Sequence, residues 1–195
     1  MQPDRLFIAI DLSPEVIKRL SNIVQWFQRQ KINGIRWVRI EQIHLTLRFL
    51  GDTHLDQTQR LRDLLSSTCR RVNEFDLDVE GCGCFPNNKT PRVLWVGVKA
   101  PNELYNLQKE IEADVRHIGF SPEKRPFSPH LTLGRLSQYA SKDDLAQITR
   151  AIQTCNINHL GVSRVNHVTL YRSTLKQNGP IYDSLGIYPF VDDDQ

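Results

Sequence analysis

Two short runs of the chain read almost identically: His44-Leu45-Thr46-Leu47 and His130-Leu131-Thr132-Leu133. In a β-strand, residues i and i+2 share a face. Each run therefore sets a histidine and a threonine on one side and two leucines on the other. The leucines can anchor the strand in a core, which aims the polar pair away from it. The runs lie 86 residues apart (130 − 44), and each follows a strand–helix unit and precedes another helix. A repeat of order and motif at this scale points to two similar α+β lobes whose polar faces can meet in one cleft.

The flanking sequence fits that plan. Arg5–Asp11 reads as a strand. Ser13-Pro14-Glu15 then opens a helix, with a capping hydroxyl, a proline suited to the first turn and an acid at the positive end. Val16, Leu20, Ile23, Val24 and Phe27 keep helical spacing to about Gln30, and Asn33-Gly34 stops it. Ile35–Arg39 and Ile43–Leu50 follow as strands, the second closed by Gly51-Asp52. A helix over about Asp56–Arg71 and a strand over Phe75–Cys82 complete this half. The second half runs through a strand, Arg92–Val98, and a helix from Asn102 to about His117. A loop at Ser121–Pro129, a strand at His130–Leu136 and a helix over about Lys142–Thr154 come next. Strands near Val162–Ser173 and Tyr188–Val191 end the chain, before the acidic tail Asp192-Asp193-Asp194. The expectation is a single α+β domain over 1–195, bilobal and duplicated, with pseudo-repeats at about 5–85 and 90–175. Two antiparallel sheets would face a central cleft, with helices on the outside.

Composition narrows the function classes. The chain has 195 residues, 39% apolar and 24% charged, as an ordinary soluble domain has. A formal net charge of +3 suits a small anionic ligand or a short nucleic acid, and solubility alone explains it equally well. No run approaches the roughly 18 apolar residues of a membrane span, and no cleavable leader is visible, so a cytoplasmic protein is expected. Cys69, Cys82, Cys84 and Cys155 form no Cys-x-x-Cys pair and read as reduced thiols. His-Glu-x-x-His and Gly-x-x-x-x-Gly-Lys are both absent. The expected site uses neither metal nor cofactor.

Two imidazoles suit phosphodiester hydrolysis near neutrality. An unperturbed pKa of about 6.5 lets one ring be neutral while its partner is charged. The neutral ring takes a proton from water, and the charged ring protonates the departing oxygen. Thr46 and Thr132 can donate to non-bridging phosphate oxygens, and Arg135 can add a charge-assisted contact. The residues alone do not say which histidine is the acid. Phe7, Trp37, Phe49 and Phe127 lie near the motif strands, where each either fills the core or stacks on a nucleobase. Arg48 and Arg125 either line the cleft or sit in solvent. His54, His117, His159 and His167 belong to no motif, although His167 and Thr169 repeat the i, i+2 spacing.

At these residues the chain resembles the two-histidine (2H) phosphoesterases, and among them the RNA 2′,3′-cyclic phosphodiesterases, also named 2′-5′ RNA ligases. The resemblance rests on Leu6-Phe7-Ile8-Ala9-Ile10, Arg36-Trp37-Val38, the run His44 to Gly51, and Arg125-Pro126-Phe127-Ser128-Pro129 leading into His130 to Arg135. Leu170-Tyr171-Arg172-Ser173 and Gly179-Pro180-Ile181-Tyr182 extend it. It implies a bilobal α+β fold that opens a 2′,3′-cyclic phosphate at an RNA end to a 2′-phosphate. It further implies His44 as proton donor, His130 as proton acceptor, and phosphate contacts from Thr46, Thr132 and Arg135. The partner would be RNA with a cyclic end, tRNA halves among the candidates, met by a monomer. Reverse 2′-5′ ligation is the other activity implied. The rival readings are a non-catalytic RNA- or nucleotide-binding module in the same cleft, and an enzyme for small cyclic nucleotides.

Overall fold

A computed structural model describes residues 3–177 and 179–191; the acidic tail lies outside them. The first half of the chain forms β1 (Asp4–Ile10), α1 (Pro14–Arg29), β2 (Ile35–Trp37), a short 3₁₀ turn (Ile40–Gln42), β3 (Leu45–Thr53), α2 (Leu55–Cys69) and β4 (Phe75–Phe85). The second half forms β5 (Val93–Lys99), α3 (Asn102–His117), β6 (His130–Leu136), α4 (Lys142–Thr154), β7 (Gly161–Val165), β8 (His167–Lys176) and β9 (Gly179–Pro189). The start of α1 follows the sequence signal: Ser13 Oγ accepts from the Val16 amide, and Pro14 occupies the first turn. Val16, Leu20, Val24 and Phe27 form its buried stripe. Among the described residues no helix is long and apolar enough to cross a membrane.

The strands pair antiparallel, as expected, but they do not make two separate sheets. They form one sheet in the order β7-β4-β5-β6-β3-β1-β8-β9, with β2 added alongside β6. The motif strands β3 and β6 join at the middle through a single pair, Leu45 with Leu131. That contact suffices to fuse the sheets because Leu45, Leu47, Leu131 and Leu133 all drop into one continuous core, at 0–3% exposure. Burying a leucine of this kind contributes roughly 1.5–3 kcal/mol, so this face fixes the register of both strands. β4 lies beside β5, and β8 lies beside β1.

Several strands outrun their expected ends for one reason. Gly51, read as a turn, has φ +74 beside a bulge in which Leu50 leaves the ladder, and β3 continues past it to Thr53. Gly81, with φ +70, is skipped in the β4/β5 register, so β4 reaches Phe85. Glycine admits this left-handed backbone without steric cost, and one extra residue can leave the ladder without ending it. The stretch expected as one strand near Val162–Ser173 divides at Asn166 into β7 and β8. β9 begins well before Tyr188 because Gly179-Pro180 opens a strand that the sequence reads as loop.

Candidate active site

Leu45–Leu131 is the centre of the site. In an antiparallel pair, one step either side brings His44 toward Thr132 and Thr46 toward His130. Residues diagonal across such a pair stand roughly 7–8 Å apart, which leaves room for a phosphate between two imidazoles. His44, Thr46, His130, Thr132 and Arg135 line one cleft.

Both histidines are held in the same way. His44 Nδ1 lies 2.8 Å from the Gln42 carbonyl oxygen, and His130 Nδ1 lies 2.7 Å from that of Ser128. A carbonyl only accepts, so each Nδ1 carries the hydrogen and each Nε2 is left to face the cleft. The carbonyl lies two residues before the histidine in both cases, so the repeated motif carries a repeated tautomer lock. His44 stacks on Phe7, with centroids 4.8 Å apart and planes at 25°, and meets the edge of Tyr182 at 5.4 Å. His130 meets Phe85 edge-on at 4.8 Å.

Burial lowers the pKa of both rings below the usual histidine value. At His44 the Gln42 carbonyl and the Asp11 carboxylate oppose that effect, while His130 adds to it. At His130 the Ser128 carbonyl opposes it and the Arg135 guanidinium adds to it. Each ring therefore resists holding a proton alone, and a bound phosphate anion would reverse the balance.

The same irregularity shapes both strands beyond the motif. In β3, Ile8 faces Arg48 and Ala9 faces Thr46, so Leu47 falls out of the ladder. In β6, Leu94 faces Gly134 and Trp95 faces Thr132, so Leu133 does the same. A bulge shifts the alternation by one. Phe49 and Arg135, not Arg48 and Gly134, thereby reach the cleft. Arg48 instead turns away and is 6% exposed. It forms ion pairs with Glu112 at 2.7 Å and Glu123 at 3.2 Å, and donates to the carbonyls of Phe49 and Ser121. The reading of Arg48 as an RNA contact is therefore corrected: it ties β3 to α3 and the following loop.

The aromatics separate as well. Phe7 is 2% exposed, sandwiched between His44 and Tyr171, and is closed off from any base. Phe127 packs against Tyr105 away from the cleft. Phe49, 58% exposed, and Trp37 line the cleft. Arg125 is exposed and lies outside the cleft lining. His167 and Thr169 do not form a third site: both bond to Asp11. Sequence reasoning gave no site role to Arg36, Arg39 or Gln42, which line the cleft at and beside β2. The pairing of Arg36 with Arg135 across β2 and β6 is what brings them there. Among the described residues, no three His, Cys, Asp or Glu side chains group as metal ligands.

Residues 11–176 match the 2′-5′ RNA ligase superfamily. An RNA 2′,3′-cyclic phosphodiesterase of Methanothermobacter thermautotrophicus is 32% identical, covering 94% of this chain and 97% of its own. One from Thermotoga maritima is 36% identical, covering 93% and 92%. In structure, TT0787 of Thermus thermophilus superposes with a TM-score of 0.83 at 27% identity, over 97% of this chain and 99% of its own. E. coli LigT complexed with 3′-AMP gives a TM-score of 0.75 at 26% identity, over 97% and 99%. The repeated motif, the shared fold and these full-length relatives agree: the chain belongs to the 2′-5′ RNA ligase superfamily, the two-histidine phosphoesterases it resembles, and is an enzyme of that family.

Proposed function

We propose that the protein hydrolyses 2′,3′-cyclic phosphate ends of RNA to 2′-phosphate ends, without a metal or cofactor, by acid–base work of His44 and His130. The observation that carries this reading is the paired Nδ1 lock, which leaves both Nε2 atoms free on two histidines that line one cleft. His130 Nε2 takes a proton from water as its oxygen bonds to phosphorus. The P–O3′ bond breaks, and His44 Nε2 gives its proton to O3′. The products are a 2′-phosphate and a 3′-hydroxyl, and the proton passes from His130 back to His44 through solvent. Thr46, Thr132 and Arg135 hold the non-bridging oxygens, whose charge shifts in the transition state. Phe49 and Trp37 offer faces for the terminal bases. The reverse step, attack of a 5′-hydroxyl on the cyclic phosphate, gives 2′-5′ ligation.

The relatives named RNA 2′,3′-cyclic phosphodiesterases support the substrate class. We read the protein as a cytoplasmic monomer acting on RNA, tRNA halves included, with pseudo-repeats at about 5–85 and 90–175. The matching ladders of β1 with β3 and β5 with β6 favour that duplication. The test is hydrolysis of an RNA ending in a 2′,3′-cyclic phosphate, in EDTA, by wild type, His44→Ala and His130→Ala. Each variant is expected to lose roughly 10²- to 10⁴-fold in rate. An inactive wild type, or unimpaired variants, would overturn the proposal and favour a binding module.

A further inference from the structure

The two halves of the site share one ladder and differ at one rung. Between β1 and β3, Ala9 faces Thr46 and Ile10 faces Leu45. The next step sets Asp11 beside His44, on the same face as its imidazole. Between β5 and β6, Trp95 faces Thr132, Val96 faces Leu131, and Gly97 faces His130. A carboxylate thus neighbours one histidine, and a glycine neighbours the other. The second rung has no room for a side chain: a Cβ at Gly97 would stand 2.7 Å from the Glu80 carbonyl oxygen.

Asp11 is fastened where it stands. Its Oδ1 accepts from the Tyr171 hydroxyl at 2.7 Å, its Oδ2 accepts from Thr169 Oγ1 at 2.7 Å, and His167 Nε2 lies 3.2 Å from Oδ2. Burial alone would raise its pKa, but the bonds from His167, Thr169 and Tyr171 hold it below the usual carboxylate value. Asp11 is therefore a fixed negative charge at neutral pH. Tyr171, bonded to it, also stacks on Phe7, and Phe7 stacks on His44. Charge and ring support arrive at His44 from the same residue.

We propose that Asp11 is a positioning residue that makes His44 the proton donor and leaves His130 the acceptor. This rests on the two-histidine reading above and supplies what the symmetric motif lacks. A negative charge beside His44 favours its imidazolium, whereas the charge beside His130 is the Arg135 guanidinium, which disfavours one. Asp11 thus offsets, at His44 alone, the burial and the His130 charge that work against a proton there. The other charged or titratable groups facing the pair are His167 and Tyr171 from β8, Tyr182 from β9, and Arg36 and Arg39 beside β2. The Tyr182 phenol is neutral, its pKa raised by burial. The arginines stand on the cleft side and favour neutral imidazoles generally, so Asp11 is the group that separates the two rings.

The test is an NMR titration of His44 and His130 in the substrate-free protein, wild type against Asp11→Asn, run beside the pH profile of cyclic-end RNA hydrolysis. The His44 midpoint is expected to fall by about one pH unit. That is the lower end of the effect of an opposite charge a few ångströms away, because the Asp11 side chain is 34% exposed. His130 should move by less than a third as much, and the alkaline limb of hydrolysis should follow His44. An unmoved His44, or a His130 that moves as far, overturns the proposal. Tyr171→Phe keeps both ring and carboxylate and keeps the test available if Asp11→Asn does not fold. Its His44 midpoint should not fall, and a fall like that expected of Asp11→Asn would assign the effect to packing and refute a charge role. Separated midpoints without hydrolysis would sink the catalytic reading, whereas full hydrolysis with unseparated midpoints would sink only the Asp11 assignment.

Discussion

Replacing Arg48 by methionine would test whether the residue two positions past Thr46 belongs to the cleft or to the scaffold. Methionine keeps the apolar stem and removes the guanidinium. Glu112, 20% exposed, then loses its partner at 2.7 Å, and the carbonyls of Phe49 and Ser121 lose a donor. Breaking a buried ion pair from one side costs about 3–5 kcal/mol. The partial exposure of Glu112 and of Glu123, at 37%, places this case near the low end, about 3 kcal/mol. For a chain of this size that is a fall in Tm of roughly 6–12 °C. Thermal unfolding by circular dichroism measures it, and steady-state hydrolysis of cyclic-end RNA at about 20 °C measures the rest. The expected result is a large loss of Tm with kcat/KM within about two-fold of wild type, since Arg48 does not line the cleft and meets its Phe49 wall only at the backbone carbonyl. Replacing Glu112 by leucine in the same background should recover part of the stability, because the more buried carboxylate is gone and only the more exposed Glu123 is left without Arg48. An unchanged Tm with a ten-fold rise in KM would refute this reasoning and return Arg48 to the substrate.

Two further expectations follow from the site. Burial lowers both histidine pKa values in the free enzyme. The acceptor must be neutral, so kcat/KM falls below its pKa; the donor must be charged, so kcat/KM falls above its own. With both lowered, the kcat/KM optimum should lie on the acid side of about 6.5, and kcat, which reports the phosphate-bound state, should peak higher; a kcat/KM optimum above about 7.5 would contradict it. Gly134→Ala places a Cβ 2.9 Å from Ile35 Cγ2 and 3.2 Å from the Trp37 ring, which pushes β2 off β6. Arg36 would move with β2, and kcat/KM should drop roughly ten-fold or more; retention of full activity would show that β2 does not position the cleft.

Period-two reading of the sequence set His44 and Thr46, and His130 and Thr132, on one face of their strands, and all four line the cleft because each lies before its bulge. It failed for Arg48 because Leu47 leaves the ladder, and nothing in the local sequence marks that. The bulge is set by how β1 seats on β3, a contact between residues about forty positions apart. The same lesson applies to Gly51 and Gly81. Glycine signals an unusual backbone, but only the neighbouring strand decides between a turn and a bulge. Asp11 was read merely as the end of a strand. Its partners Thr169 and Tyr171 lie far along the chain, so no spacing could bring them together. The fusion of the two expected sheets had the same origin, since Leu45 and Leu131 were legible as core but not as each other's neighbours.

The order of strands across the sheet has a consequence for how the protein can be divided. β4 belongs to the first half of the chain yet lies between β5 and β7, and β8 belongs to the second half yet lies between β1 and β9. The polypeptide halves are clasped like two hands with one finger exchanged. A cut in the loop between Phe85 and Val93 would give two pieces, each owning one histidine and neither owning its complete floor. Apart, each would expose the apolar edge meant for the other's strand. Together they could interlock and rebuild the cleft. A nascent chain meets the same condition: the first histidine has no working neighbourhood until β8 has been made and slotted beside β1.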